Sequence, residues 1–493
     1  MMQRQQYSLL LLLTGVVVLN LPYIPYYNPL SCDTEVYHYV SLVMKRGGIP
    51  YRDVFDHKPP LIYFVSYTGL FLGGWLQWLI NTLLAMVATF LFFRLGKKYR
   101  LAFPWLLPLL FNLMLRDFLI CGTGGNTREY TTVLMLIFFC VLMGEHSRRY
   151  YILGFLAGLI FFFQQDQVFA LIPFFIYAFT RREDIPLRYR ILGPAAGGLL
   201  VAAPVILYFA FHRSLTPFWR DAFGFNFGWY TTAVKSSFGD HLRRVKQVLD
   251  AGNYEVPFLV AMTLGISALV WRSSNKRLVL ASLAAVVLSI SPEFMGGRAQ
   301  MGGFKHYYLA LSSSLCILLF VVFAAFTEEP FLLGRKVMGI FGVLVCTSPA
   351  YTFLQHITHM TPRRENIVAV SPELDYLRQH PPGDHQLYEI GDHNYLYANN
   401  ELRVLAPSVW VYNFWGLYKD WDKDQAILRS IQQELLRYRT TYIINCSRNA
   451  ASLMKEPVIG AWDDFLKKYY QQVPLTDTTG VTLWEWKGAP DKR

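Results

Sequence analysis

Residues 53–64, DVFDHKPPLIYF, set two acids, a histidine and a lysine directly before two prolines and an apolar run. Loops beside a membrane usually carry scattered solvating charges, whereas a dense, mixed and sterically stiff group can hold something charged. Just upstream, DTEVYHYVSLVMKRGG has helical periodicity and reaches a plausible C-cap at Gly47-Gly48. Asp33 falls at or next to the N-cap of that helix. There a carboxylate stabilises the helix dipole and satisfies free N–H groups, and it is equally placed to act as a general base. The two roles are compatible. The four-residue spacing puts Asp33 and Tyr37 on one face and turns Glu35 away.

Three further polar groups interrupt the apolar sequence. RDFLICGTGGNTREY has Gly122, Gly124 and Gly125, which permit close backbone approach, and Glu129 opens the apolar run that follows. Capping by Asn126 or Thr127, with Glu129 in the first turn, is the plain alternative to chemistry there. FFFQQDQVFA carries Asp166 in what reads as a tight loop. SPEFMGGRAQMGGFKHYYLAL brings Arg298, Lys305 and His306 together with two tyrosines and four glycines. Interfacial aromatics on a loop explain the tyrosines. The cations also suit a phosphate site, with Lys58 as their companion.

The elements that must position these groups are membrane helices. Of the 493 residues, 53% are hydrophobic and only 16% charged, so most of the chain sits in lipid. The net charge of +12 does not indicate nucleic acid, because the basic residues are dispersed among short loops between apolar segments. The six cysteines show no CxxC pair, so neither a disulfide framework nor a zinc site is encoded. The apolar N-terminal stretch has no convincing small-x-small cleavage site and reads as an uncleaved first helix. Expected spans are 8–26, 75–94, 101–116, 130–145, 150–163, 167–180, 191–211, 255–271, 277–291, 306–326 and 334–354, about eleven helices. Segment 61–72, opened by Pro59-Pro60, reads as interfacial or re-entrant. With the N-terminus in the cytoplasm, RLGKKYR, EHSRRY, RREDIPLRYR, WRSSNKR and LLGRK become short inside loops. The outside loops carry a similar basic total over roughly two to three times the length. Every dense polar cluster then faces outwards, as does the C-terminal end.

The composition changes near residue 360. QLYEIG, ELRVLA, TTYIINC and GVTLWEWKG read as strands, and DQAILRSIQQELLRYR and DDFLKKYYQQV as helices. Residues 1–354 are therefore expected to form a transmembrane domain, and 355–493 an α/β domain outside the membrane. Neither a nucleotide-binding glycine motif nor a nucleophile elbow occurs in it. Polar groups gathered on one face argue against a conduction path, which needs ionisable residues through the spans. They suit chemistry on a lipid-linked phosphate.

DTEVYHYVSLVMKRGGIPYRDVFDHKPPLIYF resembles the first outer loop of the GT-C glycosyltransferases, specifically the bacterial relatives of the dolichyl-phosphate-mannose protein mannosyltransferases (glycosyltransferase family 39-like). GGNTREY is similar to their second outer loop, and GRAQMGGFKHYYLAL to their later Gly-Arg…His-Tyr segment. The resemblance covers the chain to about residue 354. It implies a polytopic α-helical membrane protein of the GT-C class, in the inner or plasma membrane, with an extracytoplasmic C-terminal α/β domain. It implies a hexosyl- or pentosyltransferase that takes a sugar from a polyprenyl-phosphate-linked donor to a lipid, glycan or protein acceptor, with inversion. Asp33 is then the general base and Glu129 the second-loop acid. Lys58, Arg298 and His306 contact the donor phosphate. From the residues themselves, Lys305 is a further phosphate candidate, and Glu35, Tyr37, Asp56 and His57 are candidates for supporting contacts. The family pattern often has an acid directly after the first-loop Asp, whereas here Thr34 intervenes before Glu35. Because no DxD-like metal pair flanks Asp33, no metal or other cofactor is expected. Two rival classes are a flippase or exporter of a lipid-linked glycan and a non-catalytic scaffold. The first should show charges within spans or inverted repeats. The second has no use for a Lys-Pro-Pro junction beside acids.

Overall fold

The computed structural model describes residues 2–26, 32–117, 124–146, 148–181, 185–230, 237–251, 254–270, 275–290, 305–327, 332–358, 371–391, 396–411, 425–447, 458–475 and 480–488. The chain divides into two compact units. One comprises Met1–Ile24, Trp75–Tyr208 and Lys235–Met360; the other comprises Pro25–Gly74, Phe209–Val234 and Thr361–Arg493.

The first unit is helical, and a helix lies on each of the segments expected to span. Among the described residues, four stretches are long and apolar enough to cross a membrane: Gln6–Tyr23, Leu72–Lys98, Leu187–Phe211 and His306–Ala325. Others are too short to cross alone. Leu106–Leu115 has 10 residues, about 15 Å at the α-helical rise against roughly 30 Å of hydrocarbon. Thr127–Leu142 is buried along nearly its whole length, including Arg128, Glu129, Thr131 and Thr132. Such burial on all sides marks the middle of a bundle, and this helix packs against Ala310–Thr327, which is similarly enclosed. Arg149–Phe163 crosses Leu187–Phe211 at glycines: a Cβ on Gly154 would stand 2.0 Å from the Pro194 carbonyl oxygen, and one on Gly197 2.0 Å from that of Tyr151. Small residues of this kind let membrane helices approach backbone to backbone.

The second unit gathers the loop 25–74, the segment 209–234 and the C-terminal part. Its sheet comprises β1 (Leu387–Ile390), β2 (Tyr442–Asn445), β3 (Tyr470–Gln472) and β4 (Thr482–Trp486) in the order β1-β2-β4-β3. The β1–β2 pair is parallel and the other two are antiparallel. Ala426–Tyr438 buries Leu428, Ile431 and Leu435, while Ile427, which the spacing also put on that face, is half-buried. ELRVLA is not a strand. The helix Tyr397–Leu402 runs into it, Arg403 turns left-handed at φ 56°, and the Val404 N–H bonds back to the Asn399 carbonyl at 3.0 Å. Asn399 is wholly buried and donates to the Leu387 and Val404 carbonyls. That amide anchors a helix end where the local propensity favours extended chain. DDFLKKYYQQV is helical only to Tyr469, after which Tyr470–Gln472 forms β3.

Leu61–Thr68 has 8 residues, about 12 Å of helix, too short to span. Cys32–Lys45 holds Asp33 and Glu35 in its first turn. Past its end Gly47 takes a φ of 88°, a left-handed turn that glycine accepts without a Cβ clash.

Candidate active site

In the second unit the chain from Pro50 to Pro60 folds back tightly. Tyr51 takes a left-handed φ of 67°, which costs about 1–2 kcal/mol for a residue with a side chain. Packing offsets that cost. The Tyr51 ring lies 5.4 Å from Phe209, 5.5 Å from Phe218 and 5.8 Å from Tyr63. Its hydroxyl donates to the Lys58 carbonyl at 2.6 Å. Tyr63, in the first turn of the helix that the prolines open, donates to Asp56 Oδ2 at 2.7 Å and lies 3.0 Å from the same Lys58 carbonyl. Asp56 Oδ1 accepts from the His57 N–H at 2.6 Å. From the π-helical segment Arg220–Gly224 and Asn226–Tyr230, Asn226 Nδ2 donates to the His57 carbonyl at 2.5 Å and to that of Ala222 at 2.7 Å. Three side chains from separate segments thus clamp the main chain that carries Lys58.

Lys58 is 6% exposed and Asp56 2%. Burial pushes the Asp56 carboxyl up to about 6. The Tyr63 hydrogen bond, the Lys58 charge and the His57 N–H pull it down, while the Asp33 charge pushes it further up. Asp33, Asp56 and Lys58 therefore share one electrostatic neighbourhood. Asp33 is half-buried, whereas Glu35 is buried and turned away. Glu35 Oε2 accepts from Asn400 Nδ2 at 2.7 Å, and its carbonyl oxygen accepts from the same amide at 2.8 Å. Tyr37 is buried edge-on against Tyr63 at 6.2 Å. The His57 ring packs on Phe225 at 5.5 Å, and its Nδ1 stands 3.4 Å from Asp56 Oδ1. This loop is also tied to the C-terminal part of its unit. The Ala406 N–H donates to the Tyr39 hydroxyl at 2.7 Å, and the Phe55 N–H to the Val409 carbonyl at 2.8 Å.

The other expected site residues belong to the first unit. Asn126 caps Thr127–Leu142, accepting from the Arg128 N–H at 3.0 Å. Glu129 pairs with Arg116 at 2.5 Å, with side-chain exposures of 3% and 1%. Its second oxygen accepts from the Gly125 N–H at 2.7 Å. Gly124, at φ 76°, lies so close to Tyr23 that a Cβ would stand 2.9 Å from the ring. Arg128 points elsewhere, to Asp166 at 2.7 Å and to the Tyr307 carbonyl at 3.2 Å, with its guanidinium 4.2 Å from the Tyr307 ring centre. His306 is half-buried, its ring 4.7 Å from that of Tyr307. Arg298 lies outside the described residues, and of Lys305 only the backbone is described.

Sequence reasoning missed Tyr51, Tyr63, Asn226, Arg116 and Arg128. A signal existed for Asn226, an isolated amide within the aromatic run FGFNFGWY. Arg116 and Arg128 stand within the same short polar loop as Glu129, but nothing in their spacing says which acid each meets. Among the described residues, no group of three His, Cys, Asp or Glu side chains gathers as a metal site.

No family model matches the chain, and no curated protein matches it in sequence. Solved structures share its fold. The crystal structure of ArnT from Cupriavidus metallidurans bound to undecaprenyl phosphate gives a TM-score of 0.61 at 11% identity, covering 96% of this chain and 97% of that one. ArnT in its apo state gives 0.58 at 12% identity with the same coverage. The chain thus shares the fold of ArnT, the GT-C fold.

Proposed function

We propose that the protein is an integral-membrane glycosyltransferase that moves a sugar from a polyprenyl-phosphate-linked donor to an envelope lipid, glycan or protein on the extracytoplasmic side. The observation that carries this reading is the fold likeness to ArnT over 96% of the chain, in a structure of ArnT bound to undecaprenyl phosphate. The arrangement around Lys58 supports it: a cation held by a clamped main chain, at the hinge between a polar loop and a short apolar helix.

The leaving group of such a donor is a phosphate, which departs as an anion and needs no proton. Cations that bind the developing charge therefore matter most. Lys58 takes this role; the loop resemblance adds Arg298 and His306, and their sequence neighbour Lys305 is a further candidate. The acceptor hydroxyl is a poor nucleophile at neutral pH. Asp33 removes its proton as the oxygen bonds to the anomeric carbon and the bond to phosphate breaks, inverting that centre. Asp56 and Tyr63 hold the Lys58 main chain in place. Glu129, paired with Arg116, fixes the second outer loop. The positive-inside pattern places the N-terminus in the cytoplasm and the C-terminal part outside.

The test uses purified protein in nanodiscs with radiolabelled polyprenyl-phosphate sugars and envelope extract. Asp33→Asn should abolish transfer while thermal stability and donor binding stay near wild type. Lys58→Ala should weaken donor use. Label that never leaves the lipid, together with donor that crosses the bilayer, would instead support a transporter. Loss of stability in Asp33→Asn would reduce Asp33 to a helix cap.

A further inference from the structure

The C-terminal part of the second unit carries a cavity of about 540 Å³, within the size range of small-molecule sites. We propose that it binds a neutral sugar ring of a glycan, and, resting on the transferase reading, that it is a subsite for the acceptor.

The cavity is built on one row of the sheet. Glu485 of β4 stands in register with Tyr442 of β2 on one side and Gln471 of β3 on the other. Residues directly opposite across strands share a face, so a phenol, a carboxylate and an amide lie side by side. Tyr442 hydrogen-bonds Glu485, which fixes the carboxylate. Tyr376, from the helix Pro372–Gln379, forms the aromatic wall of the lining, with Tyr442 buried behind the row. Its ring is held by His380, stacked at 4.3 Å and 23°, and by the edge of Tyr442 at 6.2 Å and 82°. Gln472, Val473, Pro474 and Leu475 complete the lining.

This chemistry selects among ligands. An ionised carboxylate only accepts hydrogen bonds, whereas each glutamine amide both donates and accepts. A ring bearing adjacent hydroxyls satisfies both, since every hydroxyl donates and accepts, and its C–H face can lie on an aromatic or prolyl surface. No lining residue is a cation and one is an anion, so phosphates and acidic sugars are disfavoured.

The test is saturation-transfer NMR on the full chain in nanodiscs, with maltotriose, mannotriose and chitotriose as probes. At least one should receive saturation, with affinity in the millimolar range. Tyr376→Ala should weaken that binding tenfold or more, Tyr376→Phe should retain most of it, and the exposed substitution Gln471→Ala should weaken it without altering thermal stability. The signal should persist in Asp33→Asn, because binding requires no transfer. The glycan site and the transferase reading therefore fail separately. If none of the three probes binds the wild type, or if binding survives both Tyr376→Ala and Gln471→Ala, the proposal is overturned.

Discussion

Asp56→Asn tests the physics of the clamped loop most directly. In the folded chain the Asp56 carboxyl is raised from 3.8 to about 6, chiefly by burial. Below about pH 3.8 both the folded and unfolded states hold the proton, and this group leaves stability unchanged. Between 3.8 and about 6 the folded state keeps a proton that the unfolded state has lost, so stability falls as pH rises through that window. Two pKa units correspond to about 3 kcal/mol, and that is the penalty Asp56 carries at neutral pH. An amide does not ionise. Asparagine keeps one acceptor oxygen for Tyr63 or the His57 N–H but loses the other, at a cost of about 1 kcal/mol. Asp56→Asn should therefore be slightly less stable than wild type at pH 4 and more stable at pH 7.5. Thermal unfolding followed by tryptophan fluorescence, in one detergent at both pH values, reads the crossover. If the difference between variant and wild type is the same at both, Asp56 does not titrate in this window, and the burial argument for the loop is wrong.

Two other perturbations concern the first unit. Glu129→Gln leaves Arg116 charged and buried, which should cost about 3–5 kcal/mol in the folded state and reduce the yield of monodisperse protein. Replacing both partners with methionine should restore it, and unchanged stability in Glu129→Gln alongside lost transfer would instead put Glu129 in contact with substrate. Gly154→Val forces a side chain into a helix crossing where its Cβ would stand 2.0 Å from the Pro194 carbonyl oxygen. It should abolish folded protein in size-exclusion chromatography, whereas the same change at Gly15, where no atom lies within 4 Å of the Cβ position, should be tolerated.

The parts of the fold that could be read in advance are those with a strong local cause. Helix positions follow from apolar runs, and the turn after Lys45 follows from Gly47 and Gly48. The short helix at 61–68 follows from Pro59-Pro60, and β2 from TTYIINC. The errors lie where a particular side-chain partner decides. ELRVLA has strand propensity, yet Asn399 claims the Val404 carbonyl and N–H and bends the chain into a helix end. The partners of the site acids were hidden for the same reason. Glu129 and Arg128 are neighbours in sequence, but they face Arg116 and Asp166 respectively. A helix turns adjacent residues through about 100°, so nothing local connects either to its partner.

The same physics explains why Lys58 was legible and its support was not. A lysine before two prolines, flanked by acids, is conspicuous because the prolines fix the backbone and restrict the residue before them. What holds it comes from Tyr51, Tyr63 and Asn226, each an ordinary residue where it occurs. Tyr51 is unusual only in its backbone, a left-handed conformation no pattern of residue types announces. Asn226 lies 169 residues from the carbonyl it grips. Two hydroxyls and an amide converging on the main chain of residues 57 and 58 leave the Lys58 backbone little freedom to move. If Lys58 meets a lipid-linked phosphate, as proposed above, that restraint is as consequential as its charge. A site of this kind is preorganised by its main chain, so substitutions at Tyr51 or Asn226 should lower donor use even though neither side chain carries charge.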